Sequence, residues 1–116
     1  MQQAKQQKIY ENDTARDEAL NSGVVYKEVL FDSDTDQKVN LLATISMMSD
    51  TNTIEWFGMN NYSLICTKQD LLNIGGFITA LHSYCWTKNA ETKEAIRNAS
   101  TIEEVNNIVI DYNQGE

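Results

Sequence analysis

The hydrophobic pattern of the sequence changes its period at Thr67, and this change restricts the fold more than any other feature. Before it, TIEWFGMNNYSLICT alternates apolar and polar residues around Asn60-Asn61, a pair that tolerates the positive φ angles of a two-residue turn. After it, apolar residues recur at the helical period, at Leu71, Ile74, Ile78, Leu81 and Cys85. Thr67 and Asp70 resemble a capping box at the boundary. The pattern predicts a β-hairpin followed at once by a long amphipathic helix.

Aromatic residues mark both of these elements. Trp56, Phe57 and Tyr62 cluster at the predicted hairpin, and Trp86 lies near the end of the long helix. Such side chains anchor partners at many interfaces, but in a small domain they are more often core residues. We prefer the core interpretation and keep the interface as the alternative.

The long helix contains Gly75-Gly76, which costs about 1 kcal/mol per glycine relative to alanine. We therefore expect close packing at these positions, against a strand or another helix. A polar stretch from Thr87 to Lys93 is expected to follow the helix. A second capping box, from Ser100 to Glu103, predicts a short terminal helix.

The N-terminal half of the chain is less apolar. Residues 1–22 predict a polar helix or linker that either frays or packs along one narrow seam, with Gly23 in the left-handed conformation beyond its end. GVVYKEVLFD predicts a short β element with a tight hairpin or a bulge at Lys27-Glu28. Residues 35–48 predict an amphipathic helix with Leu41 and Ile45 on its apolar face.

These elements predict an α+β fold in the order α-β-α-β-β-α-α. A small antiparallel sheet, made of the short β element and a tryptophan hairpin, would pack against the helices. At 116 residues the chain has room for one domain, which we place at residues 23–110, with a tail at 111–116.

The stretch FDSDTDQKVNL has the alternating aspartates of a calcium loop, at Asp32, Asp34 and Asp36. A loop starting at Asp32 would need glycine at its sixth position and glutamate at its twelfth, where this chain has Gln37 and Ala43. The stretch is better interpreted as a helix start, with Asp32, Ser33 or Asp34 as the N-cap.

The remaining candidates for chemistry are weak. His82 and Cys85 lie one helical turn apart, but two ligands do not make a metal site, and the pattern is more typical of a helix that buries Cys85. We find no catalytic constellation and predict no enzyme activity, no metal and no cofactor.

Charge restricts the partners. The net charge of −8 and a sequence pI near 4.5 disfavour binding to nucleic acid and to anionic membranes. Two cysteines and no apolar leader predict a cytoplasmic protein. The acidity also leaves open an acidic inhibitor or nucleic-acid mimic that acts on a host protein, which requires contiguous carboxylates. The candidates are Asp32, Asp34, Glu103, Glu104 and Asp111.

Three blocks together resemble a domain of unknown function found in phage and prophage proteins, often in tail or tail-fibre-related chains. They are GVVYKEVLFDSDTDQKVNLL, IEWFGMNNYSLICTKQDLLNIGGFITALHSY and KEAIRNASTIEEVNNI. The signature positions implied by the resemblance are Phe31, Asp32, Asp34, Trp56, Thr67 and His82. The resemblance implies a tail-associated assembly or interaction module in a bacterial host or virion. A phage structural or assembly protein would be its partner, and the N-terminal helix could join two copies.

Overall fold

The computed structural model describes residues 1–113 and confirms the α+β class. The helices are α1 (Gln2–Leu20), α2 (Thr35–Met47), α3 (Lys68–Asn98) and α4 (Ile102–Asn106). The strands are β1 (Val24–Tyr26), β2 (Val29–Phe31), β3 (Thr53–Phe57) and β4 (Ser63–Thr67). Residues 114–116, in the predicted tail, lie outside the described part of the chain.

The strands form two separate antiparallel pairs, β1 with β2 and β3 with β4, where a single small sheet was expected. The predicted short β element folds back on itself at Lys27-Glu28, because both residues adopt positive φ angles of 49° and 69°. The expected tight hairpin at this position is therefore confirmed. The left-handed backbone conformation costs a residue that has a Cβ about 1–2 kcal/mol.

The second connection is longer than the two-residue turn predicted from the sequence. Asn60 and Asn61 do adopt positive φ angles, 60° and 67°, but they belong to a 3₁₀ turn at Met59–Asn61. Strand pairing ends at Phe57 and Ser63, and the Gly58 amide donates to the Tyr62 carbonyl at 2.7 Å within the loop. The asparagines supply the turn conformation as expected, within a wider loop.

Residue contacts group the described chain into two units. The central unit is Leu20–Leu81, and the terminal unit is Met1–Ala19 together with the chain from His82 onward. Helix α3 contributes residues to both. The predicted boundaries of a single domain at residues 23–110 stay a prediction.

The central unit encloses the main apolar core. Its buried members come from β2, α2, β4 and α3, and they are Phe31, Leu41, Ile45, Cys66, Leu71, Ile74 and Ile78. Trp56 and Leu64, opposite each other on β3 and β4, pack against this core from the inward side of the hairpin. The helical and strand periods in the sequence predicted these inward positions.

Helix α3 differs most from the sequence prediction. It runs unbroken for 31 residues, so the predicted polar stretch from Thr87 to Lys93 is helical. No glycine or proline interrupts this stretch, and Asn89 and Thr92 are buried at 4% and 7% exposure. Polar residues fit here because Asn89 hydrogen-bonds polar side chains of the terminal unit, whereas Thr87 and Glu91 are exposed.

Two helix starts show which residues cap them. Asp34 is the N-cap of α2 and accepts a hydrogen bond from the Gln37 amide at 2.7 Å, which selects it from the three candidates. Thr101, rather than the expected Ser100, caps α4 and accepts from the Glu104 amide at 3.0 Å. Glu104 in turn accepts at 2.7 Å from the amide of Ser100, the residue before the cap, so the predicted box is replaced by a related arrangement centred one residue later.

The adjacent glycines of α3 have different surroundings. A Cβ built on Gly75 would lie 3.3 Å from Leu41 Cδ2, whereas one built on Gly76 meets no atom within 4 Å. The expected close packing is therefore confirmed for Gly75, where α2 approaches α3, and is wrong for Gly76.

In the described part of the chain, every helix is too short or too polar to cross a lipid bilayer.

Candidate interaction surfaces

A charged hub stabilises the central unit at the start of α3. Thr67 and Asp70 form the predicted capping box: the Thr67 amide donates to Asp70 Oδ2 at 2.9 Å, and the Asp70 amide donates to Thr67 Oγ1 at 3.1 Å. The Tyr26 hydroxyl donates to Asp70 Oδ1 at 2.8 Å, and Lys27 Nζ lies 3.1 Å from the same oxygen. One carboxylate thereby holds the first hairpin to the β4–α3 junction.

Titration within this hub follows from these contacts. The Thr67 amide, the Tyr26 hydroxyl and Lys27 stabilise the carboxylate of Asp70, and its pKa lies well below the ordinary value. Asp70 in turn raises the pKa of Lys27. Burial, together with the nearby Asp70 charge, raises the pKa of the Cys66 thiol to about 11. Cys66 is therefore protonated at neutral pH and is a poor nucleophile.

The outward side of the β3–β4 hairpin exposes apolar residues, and we call it the hairpin face: Glu55, Phe57, Ser63 and Ile65. Phe57 and Ile65 are 61% and 62% exposed. Ser63 donates to Glu55 Oε2 at 2.6 Å across the strands. Tyr62, in the loop beyond Phe57, is also largely exposed. The preferred core interpretation is thus wrong for both aromatic residues. Strand alternation turns Phe57 outward, and Tyr62 lies beyond the paired strands.

A cavity of about 390 Å³ lies between the end of α2 and the start of β3. We call it the edge groove, and its lining residues are Thr44, Met47, Met48, Asn52, Thr53 and Ile54. Met47 is almost fully exposed, whereas Met48 packs partly against the core. The groove therefore presents flexible apolar side chains beside a strand.

The terminal unit contains a contrasting arrangement, a polar seam formed by Asn12, Asp13, Asn89, Lys93 and Tyr112. Asn12 is fully buried in α1, and its Nδ2 donates to the Asn89 carbonyl at 3.2 Å. The Tyr112 hydroxyl donates to Asn12 Oδ1 at 2.6 Å, and Asn89 Nδ2 donates to Asp13 Oδ1 at 2.9 Å. Buried polar groups need such partners, and this seam supplies them.

Charged residues continue the seam. Burial raises the pKa of Asp13, but the Asn89 amide, Lys93 and Arg16 lower it, and the net shift is downward. Lys93 Nζ lies 3.3 Å from Asp13 Oδ1. Burial also raises the pKa of Tyr112, so its hydroxyl remains a donor through neutral pH.

Contacts along the seam show that α1 and α3 run antiparallel. Lys5 Nζ donates to the Arg97 carbonyl at 2.8 Å near the end of α3, where a cation suits the helix dipole. Towards the end of α1, the Arg16 guanidinium lies 4.4 Å from the ring centroid of Trp86. Trp86 is therefore neither core nor free surface, because a cation of its own chain covers one face of its ring.

The residues singled out from the sequence do not form one site. Phe31 is fully buried, Trp56 packs partly against the core, and Asp34 and Thr67 act in helix capping. Asp32 and His82 are half-buried. Cys85 is fully buried, as expected for a core residue. In residues 1–113, no three potential metal ligands lie together.

Sequence reasoning missed the seam. Asn12, Asn89 and Tyr112 give no periodic apolar signal, and the available signal was indirect: a helix with too few apolar residues needs another kind of contact. The sequence also did not indicate the environment of Trp56 Nε1, a buried donor that meets no acceptor among the described residues.

Comparison with known proteins gives a family and no activity. No curated protein matches the chain, and no solved structure matches it. The family described as Domain of unknown function (DUF4376) matches residues 3–113, which include the whole central unit and every residue of the seam. The protein belongs to this family, DUF4376.

Proposed function

We propose that the chain is a non-enzymatic protein–protein interaction module, and the hairpin face is the observation that supports it. Phe57 and Ile65 lie outward on paired strands with more than half of their surface exposed. Aromatic and branched side chains at such positions supply contact energy when a partner excludes water from them. The inward contacts of Trp56 and Leu64 hold the backbone, so little ordering accompanies binding.

The phage setting is part of this proposal. The resemblance to tail and tail-fibre-related proteins supports a tail-associated module whose partner is a phage structural or assembly protein. The module would then act in the bacterial host cytoplasm or on the virion. An acidic nucleic-acid mimic has less support, because the carboxylates of Asp34 and Glu104 accept hydrogen bonds from amides at helix starts.

The test compares the wild-type chain with a Phe57→Ser/Ile65→Thr variant as immobilised bait in an extract of phage-producing cells. A Val109→Thr variant is the matched control, because Val109 is 77% exposed and lies outside the hairpin. We expect the wild type and the control to retain the same phage structural protein, and the double variant to lose at least about tenfold of it. Equal retention by all three chains, each with an unchanged melting temperature, contradicts the proposal.

Self-association through α1 is a separate proposal. Its measurement is the solution mass over a range of concentrations, and a monomer at the highest concentration rules out a second copy as the partner.

A further inference from the structure

The outer edge of β3 is open at its first three residues. Among the described residues β3 pairs with β4 alone, and Thr53, Ile54 and Glu55 are all exposed. Every second residue of an antiparallel strand directs its amide and carbonyl away from its neighbour. Just after the last residue of β3 the chain is covered, since a Cβ on Gly58 would lie 2.5 Å from the Leu30 carbonyl oxygen.

Natural proteins protect exposed edges with several devices, among them lysine, proline and a bulge. The β3 sequence TIEWF contains neither lysine nor proline, and its register with β4 runs without a bulge from Thr53 to Phe57. The open part of this edge therefore has the hydrogen-bonding groups that an added strand requires, and it lacks a lysine, a proline or a bulge that would exclude one.

The edge groove lies beside the same residues. Thr53 and Ile54 line it, together with residues from α2 and the α2–β3 loop, and β4 contributes none of its lining. A segment that pairs with β3 would therefore place a side chain at the groove. Methionine side chains such as Met47 adapt to apolar groups of different shape.

Charge selects the occupant. Between Val39 and Thr67 the sequence contains no lysine, arginine or histidine, but it contains Asp50 and Glu55. A second copy of this chain, with its net charge of −8, would bring like charges to the edge. A segment with lysine or arginine next to Glu55 would form an opposite-charge pair across the strands.

We infer that β3 binds an extended, basic segment of another protein as an added strand, with one apolar side chain of that segment in the edge groove. The inference rests on the proposed function, for which it names the chemical class of the partner. Backbone pairing supplies affinity in this mode, and the groove and Glu55 supply specificity.

The experiment uses methionine-methyl and backbone NMR spectra of the full chain. The probe is a short peptide that alternates lysine and threonine with leucine and valine. One control peptide has glutamate in place of lysine, and another has every second amide N-methylated. We expect the basic peptide to shift the signals of Met47, Met48 and Thr53 to Glu55, and to leave Met1 and Met59 unchanged.

Both controls should bind at least about tenfold more weakly, because one reverses the charge and the other removes the backbone donors. Equal binding of the glutamate peptide or the N-methylated peptide overturns the inference, as does the absence of any shift at millimolar basic peptide. Shifts that grow with protein concentration alone would identify a second copy as the occupant and also overturn it.

Two variants locate the site. Met47→Lys should weaken the basic peptide about tenfold, because it places a cation at the groove, and Glu55→Gln should weaken it a few-fold. The Phe57→Ser/Ile65→Thr variant should bind the peptide like the wild type. If the peptide fails while the hairpin-face variant still loses its captured protein, this inference falls and the proposed function stands. If the peptide binds but that variant still captures its protein, the hairpin face is not the partner site and this inference stands.

Discussion

The central and terminal units are stabilised by different kinds of buried contact. The central unit buries a contiguous apolar core around Phe31, Leu41 and Ile74, and its charged hub lies at the start of a helix. The terminal unit buries Ile96 and Val105 but also Asn12 and Asn89. An apolar contact depends on shape and area, whereas a polar contact depends on every partner being present. The two units should therefore respond differently when one residue is removed.

The largest expected effect is in the central core. Phe31→Ala should lower the free energy of unfolding by about 3–5 kcal/mol, because it removes a fully buried ring and leaves a cavity. The matched control is Phe57→Ala, an exposed phenylalanine of the same unit, which should change stability by less than about 0.5 kcal/mol. Urea unfolding measures both, and similar losses would contradict the division between core and hairpin face.

The polar seam should behave differently. Asn12→Leu should cost about 1–3 kcal/mol, because it leaves the Tyr112 hydroxyl without its acceptor. Adding Tyr112→Phe should recover part of this loss, since Asn89 Nδ2 keeps Asp13 as its acceptor. Urea unfolding of the two single variants and the double variant gives the coupling energy. Additive losses would show that the two residues contribute independently.

A pH series distinguishes the stability that the charged hub contributes from the contributions of the apolar core and the polar seam. The pKa of Asp70 is lower in the folded state, so its contribution is present above the unfolded value of about 4 and is lost as the pH falls below it. Asp70→Asn should cost about 2 kcal/mol at neutral pH and reduce the loss of stability on acidification. Asp50→Asn, in an exposed loop, is the control. An unchanged acid transition in Asp70→Asn would contradict the assignment.

The smallest effect concerns the paired glycines of α3. Gly76→Ala should raise stability by up to about 1 kcal/mol, because the new methyl group meets no atom and alanine favours the helix. Gly75→Ala should gain less or lose stability, because Leu41 Cδ2 must move. Thermal melts compare the stabilities of the two variants. A larger gain for Gly75→Ala would show that Leu41 moves away from the new methyl group at little cost.

These differences explain what sequence reasoning could predict. Periodicity predicted the inward residues of α2, α3 and the β3–β4 hairpin, because burial of apolar side chains imposes the period of the element. The Thr67–Asp70 capping box was also predictable, since it is local in sequence. The seam was not, because Asn12 and Tyr112 are 100 positions apart and their polar side chains resemble surface residues until their partners are known.

The hairpin face fell between these cases. Strand alternation places Phe57 on the side opposite Trp56, but composition favoured a core position for the aromatic residues. Whether a second layer covers an outward face depends on tertiary packing, which a strand pattern does not contain.

The hydrogen bond from Tyr112 to Asn12 also has a consequence for the order of folding. The contacts of the central unit join residues within Leu20–Leu81, whereas the terminal unit joins the first helix to residues near the other end of the chain. Contacts between distant residues form slowly, because a long loop must close first. During synthesis we therefore expect the central unit to fold first. Until the later residues that cover Asn12 have been made, α1 stays exposed to solvent.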